Sequence, residues 1–363
     1  MKGNKGEWSE PYVLIKLLVD GKLVQGERDL SDSIEEPYKV IAVSRDEKVG
    51  DIIIEKLYSR GVSKVNIFNN GVLIREMSID DLALGLKSLF EEISQMSGAS
   101  ALSENLKSIL VKANVETIKA DSKQKADIDV TIRDPYTVAD HKLGFSIKSQ
   151  LGSPSTLINS SKNNTNLRYR LSGSISEEQI AFVNQINSQS KVRERLSFLN
   201  EIGVDLVYDT ALGEVYEGNL MLIDRDLAPI LSECLVMHYS GFSSSLQEIA
   251  DELDLRNPLD YPLRESVSYY SFKLKRYLSE SALGMMPAKE WTGKHHATGG
   301  YIIVKKDGEL VSYHLLRKNL FEDYLLFNTK FETPSTSRHN FGEIYKIDDN
   351  YFINLNLQIR FKH

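Results

Sequence analysis

Two short segments in the first half of the chain alternate apolar and polar residues so regularly that they read as paired β-strands. Across 127–132, Ile128, Val130 and Ile132 take one side while Asp127, Asp129 and Thr131 take the other. Across 143–148, Phe145 and Ile147 oppose Ser146 and Lys148. Strand side chains point alternately to the two faces of a sheet. A loop containing Asp134-Pro135 joins the segments, and such a dipeptide suits a turn. Antiparallel pairing then sets the start of the first strand beside the end of the second. One face of this hairpin should enter the core, and the other should carry carboxylates and an ammonium.

Those groups suit phosphodiester hydrolysis, which requires negative charge to be neutralised at the attacking and leaving oxygens. Mg²⁺ fits such a site, because it takes oxygen ligands and is usually held by one or two carboxylates plus phosphate and water. Asp129 directly leads the apolar strand and is preferred to Asp127 as the metal ligand, with the choice open. Lys148 would contact the attacking water and the scissile phosphate. Its ordinary pKa is about 10.4, and carboxylates and phosphate nearby should raise it further. Positioning and charge stabilisation are therefore its expected roles. By pattern alone, a surface hairpin whose polar face carries ordinary solvated charges is favoured over a nuclease centre.

The rest of the chain reads as an α+β protein with a mixed central sheet flanked by helices. A helix is expected over 8–19, where Trp8, Tyr12, Ile15 and Val19 share one face. Asn4 and Glu7 could cap it, but Pro11 would then fall inside, so Ser9 is the competing start. Strands or short helices are expected over 39–44, 51–57 and 64–68, helices over 79–96 and 102–111, and a strand over 115–118. Residues 149–176 look too polar for a core element. Beyond them the chain becomes mainly helical to about 286 and strand-rich from about 292. The expected domains are a nuclease core (1–175), a helical insertion (176–290) and a C-terminal α+β region for DNA recognition (291–363).

Composition, at 41% apolar and 26% charged residues, is that of an ordinary globular chain. No stretch approaches the roughly 20 apolar residues of a membrane span, and residues 1–8 are charged where a signal peptide would be apolar, so a cytoplasmic protein is expected. The single cysteine, Cys234, excludes internal disulfides and lies in an apolar run that suits a buried helix face. The adjacent His295 and His296 lack the spacing of a zinc site. A net charge of −7 argues against coating nucleic acid by bulk electrostatics. Yet 141–176 contains no Asp or Glu, while Lys142, Lys148, Lys162, Arg168 and Arg170 are all present.

The strand pair resembles the PD-(D/E)xK nuclease signature, with Asp129 or Asp127 first and Ser146-Ile147-Lys148 second. Ser146 stands where that pattern has Asp or Glu. A helix before the sheet often adds a carboxylate in this fold, which makes Glu7 and Glu10 the candidates. The flanks are more specific. Gly3-Asn-Lys-Gly-Glu-Trp-Ser-Glu10, Gly144-Phe-Ser-Ile-Lys-Ser-Gln-Leu-Gly-Ser-Pro-Ser-Thr-Leu157, Glu332-Thr-Pro-Ser-Thr-Ser-Arg-His339 and Asn354-Leu-Asn-Leu-Gln-Ile-Arg-Phe361 are similar to the HpaII family of restriction endonucleases. That resemblance implies a restriction-endonuclease-like core and Mg²⁺-dependent cleavage of both strands of DNA at a short palindrome, CCGG in the enzyme that names the family. It also implies a cognate DNA methyltransferase. A palindromic target favours a homodimer, although a monomer cutting sequentially is also physically sound.

Ser149, Gln150, Ser153, Asn159, Asn163, Asn164, Asn166, Arg168 and Arg170 are suited to phosphate and base-edge contacts. Local turns in a polar surface loop account for them equally. In 351–361, Leu355, Leu357, Ile359 and Phe361 alternate with Asn354, Asn356, Gln358 and Arg360. Amides and guanidinium can bond base edges bidentately, and a solvated edge strand shows the same pattern. Arg338 and His339 are further candidates for DNA contact. The substitution at Ser146 keeps open a DNA-binding protein without catalysis, and a repair or structure-specific nuclease is the other alternative.

Overall fold

The first helix, Lys5–Asp20, begins where Asn4 and Glu7 close a capping box, each backbone amide donating to the other's side chain. It ends at Gly21, whose left-handed conformation (φ 64°) lets its amide bond the Leu17 carbonyl. Pro11 lies inside the helix, so the start at Ser9 is not used. Proline within a helix costs about 3 kcal/mol or more, whereas each fully buried Leu or Ile contributes about 1.5–3 kcal/mol. Leu14, Ile15 and Leu18 are all fully buried, so docking outweighs the proline.

The structure is a computed structural model describing residues 1–119, 126–295 and 297–362. Its chain divides into two compact units, Met1–Pro154 with His295–Tyr324, and Ser155–Lys294 with Leu325–Lys362. None of the helices in the described residues is long and apolar enough to cross a membrane.

The first unit is built on a nine-stranded sheet. Its order is Leu310–Tyr313, Gly300–Val304, Asp140–Ser149, Ile128–Arg133, Tyr38–Val49, Ile52–Arg60, Lys64–Asn69 and Val72–Ser78, with Lys22–Leu23 beside Tyr38–Val49. Gly300–Val304 runs parallel to Asp140–Ser149, and the other pairings are antiparallel. Ile128, Val130, Ile132 and Phe145 bury one face of the hairpin in a core shared with Trp8, Tyr12 and Val43. The helices Ile79–Gln95 and Glu104–Lys112 contribute Leu82, Leu89, Ile93 and Leu110 to the same core.

Residues 115–118 do not form the expected strand. Their backbone is bonded to side chains instead. The Glu116 and Thr117 amides donate to the Glu47 carboxylate, and the Thr117 and Ile118 carbonyls accept from Arg45.

In the second unit, Asp205–Ala211, Asn166–Ser172, Asn350–Asn356 and Ile344–Ile347 form an antiparallel sheet in that order. Thr329–Phe331, Ile359–Phe361 and Thr156–Ile158 form a smaller one. The 149–176 segment is thus not a loop throughout. Leu167, Tyr169 and Leu171 alternate inward, and the Tyr169 hydroxyl donates to the Ser232 carbonyl of the buried helix Leu227–Tyr239. Cys234 on that helix is fully buried, and burial pushes its thiol pKa up.

Candidate active site

The hairpin pairs Ile128 with Phe145 and Asp129 with Gly144. Asp127, just before the strand, continues this pairing, its amide donating to the Phe145 carbonyl at 2.8 Å. Its Oδ2 accepts the Ile147 amide at 2.7 Å, which draws the carboxylate to the residue before Lys148. Asp129 lies toward the turn and is 3.5 Å from the Lys142 ammonium. Gly144 makes room for it: a Cβ there would come within 2.9 Å of the Asp129 carboxylate. The carboxylate brought to Lys148 is therefore that of Asp127, not the preferred Asp129.

The first helix adds one of its two glutamates. Glu7 is spent on the capping box and on Lys119 at 2.5 Å. Glu10 lies 3.9 Å from Arg45, and its charge acts on Lys148 together with that of Asp127. The Lys148 ammonium also sits 5.0 Å from the centre of the Tyr301 ring, within cation–π range. Parallel pairing of Tyr301 with Ser146 puts the ring there. Ser146 itself is buried.

Burial pushes the Asp127 carboxyl up against the pull of the Ile147 amide, Lys148 and Arg45. It pushes Lys148 down, and Asp127 and Glu10 do not offset it. Asp127 and Glu10 do raise Lys148, as expected of neighbouring carboxylates, but without DNA the desolvation of its charged form outweighs them.

The oxygen donors of Asp127 and Glu10 suit a hard divalent cation. Among the described residues, no three of His, Cys, Asp and Glu gather closely enough to hold a metal by themselves. Such a site fits Mg²⁺, which commonly takes one or two carboxylates and completes its shell with phosphate and water. His296 lies outside the described residues.

The DNA-contact candidates divide between the units. In the first, the Ser149 hydroxyl lies 2.8 Å from that of Ser9, the Gln150 amide donates to Val304, and Ser153 is exposed. In the second, Asn159 and Arg338 are exposed. Arg168 pairs with Asp209 at 2.5 Å and covers the Phe352 ring. His339 contacts the Ser160 hydroxyl at 3.1 Å.

The final alternating segment breaks into two strands of different sheets. Asn354 and Asn356 are buried. Asn354 accepts from the Tyr345 hydroxyl, while Asn356 donates to Asn166 at 2.7 Å and to the Ser161 carbonyl at 3.1 Å. Asn166, also buried, donates to the Lys162 and His339 carbonyls. These amides are engaged with one another, with the Tyr345 hydroxyl and with backbone carbonyls. The Gln358 carbonyl accepts the Glu332 amide, and Arg360 bonds Thr156 and Glu332.

Sequence reasoning missed Arg45 and Tyr301. Arg45 had a signal, since it falls with Glu47 on the same side of its strand as Val43, where apolar residues belong.

The family model described as HpaII restriction endonuclease matches residues 4–361. The chain is similar to the type II restriction enzyme HpaII of Haemophilus parainfluenzae, 39% identical over 361 residues that cover 99% of this chain and 98% of that protein. No solved structure matches it significantly. With the match running almost from end to end in both comparisons, the chain belongs to the HpaII family of type II restriction endonucleases.

Proposed function

We propose that this enzyme hydrolyses both strands of double-stranded DNA at a short palindrome, CCGG by its family resemblance, with Mg²⁺ as cofactor. The observation that carries the proposal is the Asp127 carboxylate bound to the Ile147 amide beside Lys148, with the charge of Glu10 also acting on that lysine. Asp127 and Glu10 would hold the ion. When bound, Mg²⁺ supplies positive charge to the scissile phosphate and lowers the pKa of a water. Lys148, with its proton affinity reduced by burial, orients the attacking water and bonds a phosphate oxygen. The Ile147 amide fixes Asp127 in rotation, and the Tyr301 ring supports the ammonium from the side.

In this reading Arg338, His339 and the neighbouring second-unit residues contact DNA, two copies of the chain act on the two half-sites, and a methyltransferase in the same cytoplasm protects host DNA. Incubation of the purified protein with phage DNA and Mg²⁺ tests the core of the proposal. Discrete fragments ending within CCGG are expected, lost in Lys148→Ala while DNA binding persists. A smear of products points to a structure-specific nuclease, and binding without cutting in either Mg²⁺ or Mn²⁺ to a non-catalytic protein.

A further inference from the structure

Beneath the candidate site, the core carries charges where a sheet would ordinarily carry apolar side chains. Arg45 is 4% exposed, and Glu47 and Lys56 are fully buried. Arg45 pairs with Lys56 in register, as Val43 does with Tyr58, so the charges continue the apolar face. The Glu47 carboxylate lies 3.5 Å from Arg45 and 3.2 Å from Lys56, and it accepts two backbone amides. Lys56 is held further by the Asn114 carbonyl and the Glu116 carboxylate.

At the front of this chain Arg45 Nη2 donates to the Ile118 carbonyl at 3.0 Å and lies 3.9 Å from the Glu10 carboxylate. Arg45 Nε and Nη1 make no hydrogen bond among the described residues. Apolar residues of similar volume often replace buried ion pairs at no loss of stability. Bonding the backbone of 114–118 accounts for Glu47, Lys56 and Arg45 Nη2, but not for Arg45 Nε and Nη1. Glu10 supplies a reason for the arginine, because its carboxylate lies beside Arg45 and its charge also acts on Lys148.

We infer that Arg45 is a positioning residue of the metal centre: it restrains the Glu10 carboxylate beside Asp127 and Lys148 and balances its charge until a divalent cation arrives. Glu47 and Lys56 hold Arg45 from behind. The inference rests on the reading of Asp127 and Glu10 as the metal-holding pair. Arg45 both preorganises the carboxylate and competes with the cation for it, so removing the arginine has opposite effects on binding and on rate.

Mn²⁺ binding to the full-length protein without DNA, measured by calorimetry, separates these effects when set beside single-turnover cleavage in Mg²⁺ and thermal melting. Arg45→Met is expected to bind Mn²⁺ at least about threefold more tightly, since a nearby positive charge is gone. It should cleave at least about tenfold more slowly at saturating Mg²⁺, since the carboxylate is no longer placed. Arg45→Lys should recover part of that rate. Glu47→Gln releases Arg45 toward Glu10 and should weaken Mn²⁺ binding, and this variant carries the test if Arg45→Met fails to melt cooperatively. Slower cleavage with unchanged or weaker Mn²⁺ binding in Arg45→Met, Arg45→Lys as slow as Arg45→Met, or unchanged or tighter binding in Glu47→Gln overturns the inference. A wild-type protein that binds no Mn²⁺, or a Glu10→Gln variant that binds it equally, instead removes the metal-pair reading and the inference with it.

Discussion

Asp127 Oδ2 accepts the Ile147 amide at 2.7 Å, which places a carboxylate next to Lys148 without using a residue of the strand proper. Asp129, two positions on, is directed to Lys142. Asp127→Asn is therefore expected to lower the single-turnover cleavage rate by about 10²–10³-fold, the scale seen when one electrostatic group is removed from an active site. Asp129→Asn should retain most of the rate. The opposite ranking, with both variants melting like wild type, would return the role to Asp129.

Glu7 and Glu10 separate in the same way, Glu7 going to Asn4 and Lys119 and Glu10, in the proposed reading, to the chemistry. Glu7→Gln should leave cleavage in place and cost about 1 kcal/mol, the usual scale of a helix cap. Its carboxyl is held below the ordinary value of 4.5 by Lys119 first and by the Asn4 amide. A lowered folded-state pKa means a contribution that is present above the unfolded value and lost as pH falls through the folded one. Thermal melts between roughly pH 6 and 3 should thus show a shallower acid-side decline in Glu7→Gln than in wild type. Parallel curves would mean that the Lys119 pair contributes nothing in solution.

The hairpin was legible because period-two alternation has one structural meaning when both partners show it. Which aspartate reaches Lys148 was not, since alternation puts Asp127 and Asp129 on one face and leaves their positions relative to the strand end undetermined. Glu10 was visible only as one of a pair, because the choice depends on Lys119 and Arg45 arriving from distant segments. The asparagines were misleading for a different reason. A strand with one solvated face and a strand whose amides are bonded in the interior have the same written pattern, and Asn354, bonded by Tyr345, and Asn356, bonded to Asn166, belong to the second kind. In 115–118, apolar residues suggested a strand, but the demand of buried Glu47 and Arg45 for backbone partners took those groups first.

Asn166→Ala tests the interior assignment. Its amide joins two backbone carbonyls to Asn356 in a buried cluster. Removing it leaves those partners short of a donor or acceptor, at about 1–3 kcal/mol per unsatisfied buried group. A lower melting temperature is expected, with the order of preference among near-cognate DNA sites unchanged. A shift in site preference with no change in melting would restore Asn166 as a base-reading residue.

Arg338 is the contrasting case, since it is exposed on the short helix Thr336–His339 that Ser335 caps. Arg360, by comparison, is bonded to Glu332 and Thr156, and Arg168 to Asp209. A guanidinium reading a base contributes to one position only, whereas one touching phosphate contributes equally to every sequence and to the salt dependence. Arg338→Ala is expected to lose about 1–3 kcal/mol of discrimination at a single base pair of the site, seen as near-cognate cleavage at that position alone. Uniform weakening across all sequences, with the slope of log K against log salt reduced by about one, would assign Arg338 to the backbone. In that event the exposed Asn159 becomes the next side chain to replace.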